Sequence, residues 1–184
     1  ALQEMHDEIG QRDLRLAQEI EGYYVAQESL RRYDPKHERS PNIERGRGER
    51  LKWVEQEQYW IIHRYILREY GIVLSGPPLA ELIDPISPND LRRTMGNVMR
   101  EWGGHILREP EKVAQAGYQP YAVLTICRML YTLEMGNIVP KAEAAEWGKE
   151  ALNERWKPLI EAALVDRIEA GRVPMCREAE ETLA

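Results

Sequence analysis

Apolar positions repeat at helical spacing through most of this chain, and the breaks in that repeat are as informative as the repeat itself. Leu2, Met5, Ile9, Leu14 and Ala17 suggest one face of a helix interrupted near Gly10. Ile20, Tyr23, Tyr24 and Val25 then crowd into six residues, a β-rich run that predicts a short strand. A single strand exposes unpaired backbone groups. Helix and strand together therefore read as the end of a larger α/β unit whose other strands lie outside this chain. Residues 31–52 show no periodicity; they hold eight basic residues against four acidic ones, with Pro35, Pro41, Gly46 and Gly48. This predicts a long, exposed, basic loop and a domain boundary.

Beyond the loop the pattern is helical throughout. Residues 53–70 carry Trp60, Ile61, Ile62, Tyr65, Ile66 and Leu67 and stop at Gly71. Gly76-Pro77-Pro78 and Asp84-Pro85 interrupt the chain. Ser87 then has the character of a helix cap, Pro88 of a first helical residue and Asp90 of a first-turn acid. That helix runs through Leu91, Met95, Val98 and Met99 to Trp102. Residues 121–135 are apolar nearly all round, which places them at the centre of the domain, and Gly136 ends them. Helices over 140–152 and 156–172 and a short tail helix follow, and packed antiparallel they form a bundle. The reading is mainly α: a helix–strand–loop remnant over 1–52 and a helical bundle over 53–184.

Composition narrows the classes without choosing one. The 184 residues include 25 Lys+Arg and 31 Asp+Glu, a formal net charge of −6, which argues against a nucleic-acid partner. An apolar fraction of 43% is enough to build a core. Cys127 and Cys176 are too few for a metal cage or a disulfide framework and read as reduced thiols of a cytoplasmic protein. No secretory core appears in the first residues, and no apolar stretch approaches the ~20 residues that span a bilayer, so no membrane is expected.

The central helix carries the most pointed chemistry. Tyr121, Thr125, Arg128 and Thr132 recur at i, i+4, i+7 and i+11, a polar stripe on a helix otherwise buried. A buried guanidinium needs an anion. Either Arg128 pairs with a carboxylate such as Asp84 and only fixes the fold, or its planar fork faces a ligand phosphate. Lys141 follows Pro140 at a helix start, where the helix dipole disfavours a cation unless an anion is present. The bland alternative is a surface lysine. Arg128 and Lys141 flank the same short turn, 136–140. Glu21, beside Gly22 on the strand, is either an ordinary strand carboxylate or a general base. His6, His37, His63 and His105 show no ligand spacing, and no nucleophile elbow or Gly-rich phosphate loop is present. Trp102 reads first as a core anchor.

A series of motifs runs in order: Ile20-Glu-Gly-Tyr-Tyr-Val25, Leu30-Arg-Arg-Tyr-Asp-Pro35 and Leu82-Ile-Asp-Pro85, then Gly117-Tyr-Gln-Pro-Tyr-Ala-Val-Leu-Thr-Ile-Cys-Arg128, Gly136-Asn-Ile-Val-Pro-Lys141 and Ala144-Ala-Glu-Trp147. The series resembles the C-terminal half of aminoglycoside adenylyltransferases of the streptomycin/spectinomycin type, over nearly the whole chain. The resemblance implies a nucleotidyltransferase whose N-terminal domain carries a Gly-Ser turn and an Asp-x-Asp pair holding Mg2+. Neither is present in this chain, so ATP and Mg2+ are expected only together with that domain. It further implies Glu21 as catalytic base, Arg128 and Lys141 as contacts to ATP phosphates, and Trp102 as a drug-stacking residue. Tyr121 stands where some relatives have a histidine near the nucleotide, and Tyr118 where they have an aspartate, on the substrate side. The expected ligands are ATP and an aminoglycoside-like small molecule, and the exposed N-terminal strand offers an edge for a homodimer. The competing reading is a stand-alone helical binding module without catalysis.

Overall fold

In the computed structural model the described residues are 1–12, 16–17, 19–32, 39–44, 48–55, 60–109, 111 and 118–169. They divide into two compact units, Ala1–Pro85 and Ile86–Ala184. The fold is mainly α.

The first unit opens with α1, Leu2–Gln11, which ends one residue past Gly10, where the sequence predicts the interruption. A small antiparallel sheet follows, made of β1 Gly22–Tyr23, β2 Arg39–Ile43 and β3 Lys52–Glu55 in that order. Gly22 pairs with Ile43, and Ser40 pairs with Val54. The sheet corrects two expectations. The strand at Gly22 is not alone, because β2 comes from the stretch read as a structureless loop. Residues 52–55 are strand, not the start of a helix. Pro41 hid the first of these, since proline cannot donate to a ladder. Here its backbone faces the β1 side, where its carbonyl accepts from the Tyr24 amide at 2.9 Å. Ser40, Asn42 and Ile43 are buried, and Asn42 Nδ2 donates to the Gly22 carbonyl at 3.1 Å.

Three short helices complete this unit: α2 Gln27–Arg31, α3 Trp60–Tyr70 and α4 Leu79–Leu82. Arginines tie them together by capping backbone carbonyls. Arg31 donates to Glu81 O at 2.8 Å, and Arg68 donates to Ala80 O at 2.8 Å and to Ile83 O. Arg64, only 4% exposed, donates to Ser29 O at 3.5 Å, and burial lowers its pKa. At the end of α3, a Cβ on Gly71 would collide with Leu67 O and Leu79 Cδ1, so α4 can approach only a glycine.

The second unit is helical. Helix α5, Pro88–Arg108, starts as its sequence demands: Ser87 Oγ accepts from the Asp90 amide at 3.1 Å, with Pro88 in the first turn. It runs six residues past the predicted end at Trp102. Helix α6, Tyr118–Met135, packs against α5, against α7 Lys141–Ala151 and against α8 Lys157–Glu169. A 3-10 turn, Glu154–Trp156, precedes α8. The predicted tail helix lies outside the described residues. Leu124 and Cys127 of α6 meet Val139, Ala144, Ala145, Ile160, Ala163 and Leu164 in one buried cluster. Small residues let the helices close up: the space beside Gly148 of α7 is bounded by Cys127 Sγ and Ile160 Cδ1. Burial pushes the Cys127 thiol up to about 11, so it is an inert core residue. Among the described residues, no helix is long and apolar enough to cross a membrane.

Candidate functional site

The polar stripe on α6 divides into two kinds of residue. Thr125 and Thr132 turn their hydroxyls back onto their own helix, donating to Tyr121 O at 2.6 Å and to Arg128 O at 2.8 Å. Both are structural and need no ligand. Arg128 and Tyr121 are different. The Arg128 guanidinium is largely buried, and burial lowers its pKa. The carboxylate suggested for it, Asp84, is taken instead by Arg31 at 3.0 Å and Arg32 at 3.6 Å. Among the described residues, no carboxylate pairs with Arg128.

What lies beside Arg128 is more positive charge. Lys141, the first residue of α7, sits three and four positions before Ala144 and Ala145, which face the buried cluster. Its stem therefore follows the same seam toward α6. Its Nζ stands 3.7 Å from the centroid of the Tyr121 ring, a cation–π contact. Burial, then Arg128, then Arg167 lower its pKa from 10.5 to about 8. Pro140, before it, supplies no side-chain cap to the N-terminus of α7. The helix dipole and two nearby guanidiniums thus all disfavour the charged lysine.

Arg167 is the residue that sequence reading passed over. Ile160, Ala163, Leu164 and Arg167 recur at i, i+3, i+4 and i+7 on α8, and the first three are buried in the cluster. The face that packs on α6 and α7 thus ends in a guanidinium. Its Nε is buried and without a hydrogen-bond partner. The sequence holds the signal, an apolar stripe at helical spacing that terminates in arginine.

Three helices therefore deliver three cations to one end of their shared core. No acid among the described residues balances them. Such an arrangement is chemically suited to an oxyanion of two or more charges, with Arg128 and Arg167 as planar forks and Lys141 as a point charge. Tyr118 lies next to this end, its ring 5.7 Å from that of Tyr121 and tilted 39°. Trp102 is half-buried on α5 and has no aromatic or cation–π partner among the described residues. Glu21 belongs to the first unit, exposed and immediately before β1. Among the described residues no group of three or more His, Cys, Asp or Glu side chains gathers to hold a metal ion. The donors at this end of the bundle, two guanidiniums and an ammonium, do not fit Mg2+.

The family model for the aminoglycoside adenylyltransferase C-terminal domain matches residues 81–182, a span that contains Trp102, Tyr118, Tyr121, Arg128, Lys141 and Arg167 but not Glu21. Aminoglycoside (3'') (9) adenylyltransferases of Klebsiella pneumoniae and Escherichia coli are each 33% identical to the chain over 93 residues, 50% of this chain and 33% of the relative. The enzyme of that name from Rhizobium radiobacter is 30% identical over 93 residues, 50% of this chain and 32% of the relative. These matches span about a third of the length of those relatives. A family match over more than half the chain, carrying the helices that build the cationic end, decides the affiliation: the chain belongs to the aminoglycoside adenylyltransferase C-terminal domain family.

Proposed function

We propose that this chain is the helical, nucleotide- and drug-binding part of an adenylyltransferase that moves AMP from ATP to a hydroxyl of an aminoglycoside-like compound. The observation that carries the reading is the convergence of Arg128 and Lys141, with no carboxylate among the described residues to neutralise them. Empty, this end of the bundle holds repelling charge at a cost in stability. Filled by phosphates, the same charges become attractive.

In the proposed reaction the drug hydroxyl oxygen attacks the α-phosphorus of ATP. Its proton passes to the Glu21 carboxylate, a bond forms between drug oxygen and phosphorus, and the bond to the leaving pyrophosphate breaks. Arg128 and Lys141 hold the triphosphate and stabilise the charge that grows on the departing pyrophosphate. Tyr121, under the Lys141 ammonium, fixes that side chain beside the nucleotide. Tyr118 and Trp102 offer aromatic surface to the drug. The activating metal belongs to the Gly-Ser and Asp-x-Asp motifs that the family resemblance implies for the partner domain.

The test joins this chain to a nucleotidyltransferase domain bearing those motifs and looks for AMP-modified streptomycin or spectinomycin by mass spectrometry. Glu21→Gln is expected to slow transfer by about 10²–10⁴, the usual contribution of a general base. Lys141→Ala is expected to lower kcat/KM by about tenfold to a hundredfold. Product formed equally fast by both variants would remove these residues from the reaction.

A further inference from the structure

We propose that Arg167 is a third anion-binding residue at this end of the bundle, and that it adds a donor to the run of phosphates held by Arg128 and Lys141. The proposal rests on the reading of Arg128 and Lys141 as phosphate ligands and adds a residue, on a third helix, to which that reading gives no role.

Two observations carry it. The first is placement. Arg167 continues the stripe Ile160, Ala163 and Leu164, all buried against α6 and α7, so its side chain leaves α8 on the face where Arg128 and Lys141 lie. Its positive charge is close enough to Lys141 to act on it. The second is an unmet donor. The Nε–H of Arg167 is out of water and bonds to nothing. A structural arginine at the end of an apolar stripe lays its stem on the core and keeps its head solvated or paired. A buried, unpartnered guanidinium N–H is costly, and in native structures it calls for an unseen acceptor. With the Lys141 ammonium close by and no carboxylate among the described residues to pair with it, the acceptor that fits is an oxyanion.

Three donors on three separate helices also set the size of the ligand. One tetrahedral phosphate has oxygens enough to satisfy a fork and an ammonium. A second fork on another helix is best used by a neighbouring phosphate group. Arg167 thus favours polyphosphate chains over a lone phosphate, and the ligand class is a nucleoside triphosphate or its polyphosphate product.

The experiment titrates inorganic tripolyphosphate and orthophosphate into the 184-residue chain by calorimetry, for wild type, Arg167→Gln and Lys141→Ala. Arg167→Gln should weaken tripolyphosphate by about tenfold to a hundredfold and orthophosphate by less than about threefold. Its anion-free melting temperature should stay level or rise. Arg167 stands over Lys141 from α8, with Arg128 and Tyr121 facing the same lysine from α6. Loss of Arg167 should therefore also move the alkaline limb of tripolyphosphate binding to higher pH, a shift that a purely packing role would not produce. Wild-type tripolyphosphate affinity in Arg167→Gln, with loss in Lys141→Ala, would overturn the proposal and leave the two-residue reading standing. Equal weakening of both anions together with a lower melting temperature would make Arg167 structural. No binding by the wild type would remove the phosphate reading itself.

Discussion

Lys141 shows how one residue can be legible in kind and not in magnitude. Its position after Pro140 announced a misplaced cation. Only the fold reveals that burial, and then Arg128 and Arg167 from other helices, make its charge costly and hold its pKa near 8 against 10.5 for an ordinary lysine. Between those values the unfolded chain binds more protons than the folded one, so stability contributed by this group rises with pH from about 8 to about 10 and is flat below. Lys141 is only partly buried, and water screens the effect to about 1 kcal/mol. Lys141→Met should therefore raise the melting temperature at pH 7 by about 2–4 °C and abolish the alkaline rise. A melting temperature lowered by the substitution would show the lysine to be paired after all. Arg128 was similarly half-readable. Its burial followed from the central helix, but its partner did not. Asp84 is near the right kind of charge in sequence terms and is spent on Arg31 and Arg32.

At the scale of elements, local chemistry predicted what it governs. Ser87, Pro88 and Asp90 start α5 where their side-chain chemistry places it. Gly136 ends α6 with φ of 75°, a conformation that favours glycine. Tertiary pairing decided the rest. The strand through Pro41 is stabilised by β1 and β3 on either side, and no propensity within Arg39–Ile43 announces those partners. Beyond Gly136 a further device appears. Arg92 of α5 donates to Leu133 O and Glu134 O at 3.0 Å each, closing the C-terminus of α6. A Cβ on Gly136 would stand 2.8 Å from both the Arg92 guanidinium and Pro88 Cβ. Gly136→Ala should cost about 1–2 kcal/mol for the left-handed backbone alone, with more from the displaced arginine. Urea unfolding measures it, and an unchanged midpoint would show that α6 does not depend on this closure. Because Gly136 opens the turn to Lys141, the same variant should weaken anion binding as well.

At the scale of the molecule, the two units carry different chemistry. The second brings Arg128, Lys141 and Arg167 together on a packed helical core, and its affiliation follows from a family match over residues 81–182. The first carries Glu21, beside a small sheet whose strand β1 pairs, among the described residues, on one side only. The motifs from Tyr121 to Trp147 were the most informative because the helices they form must both pack and present charge, which restricts residue choice at every turn. Arg167, at the end of α8, showed its role only once three helices were assembled. The central claim is that this charge exists for nucleotide phosphates, and calorimetric titration of ATP into the chain joined to a nucleotidyltransferase domain tests it most directly. The account predicts saturable binding that weakens by about tenfold to a hundredfold in Lys141→Ala, while the variant's anion-free stability is unchanged or higher. Equal dissociation constants for wild type and Lys141→Ala would contradict it.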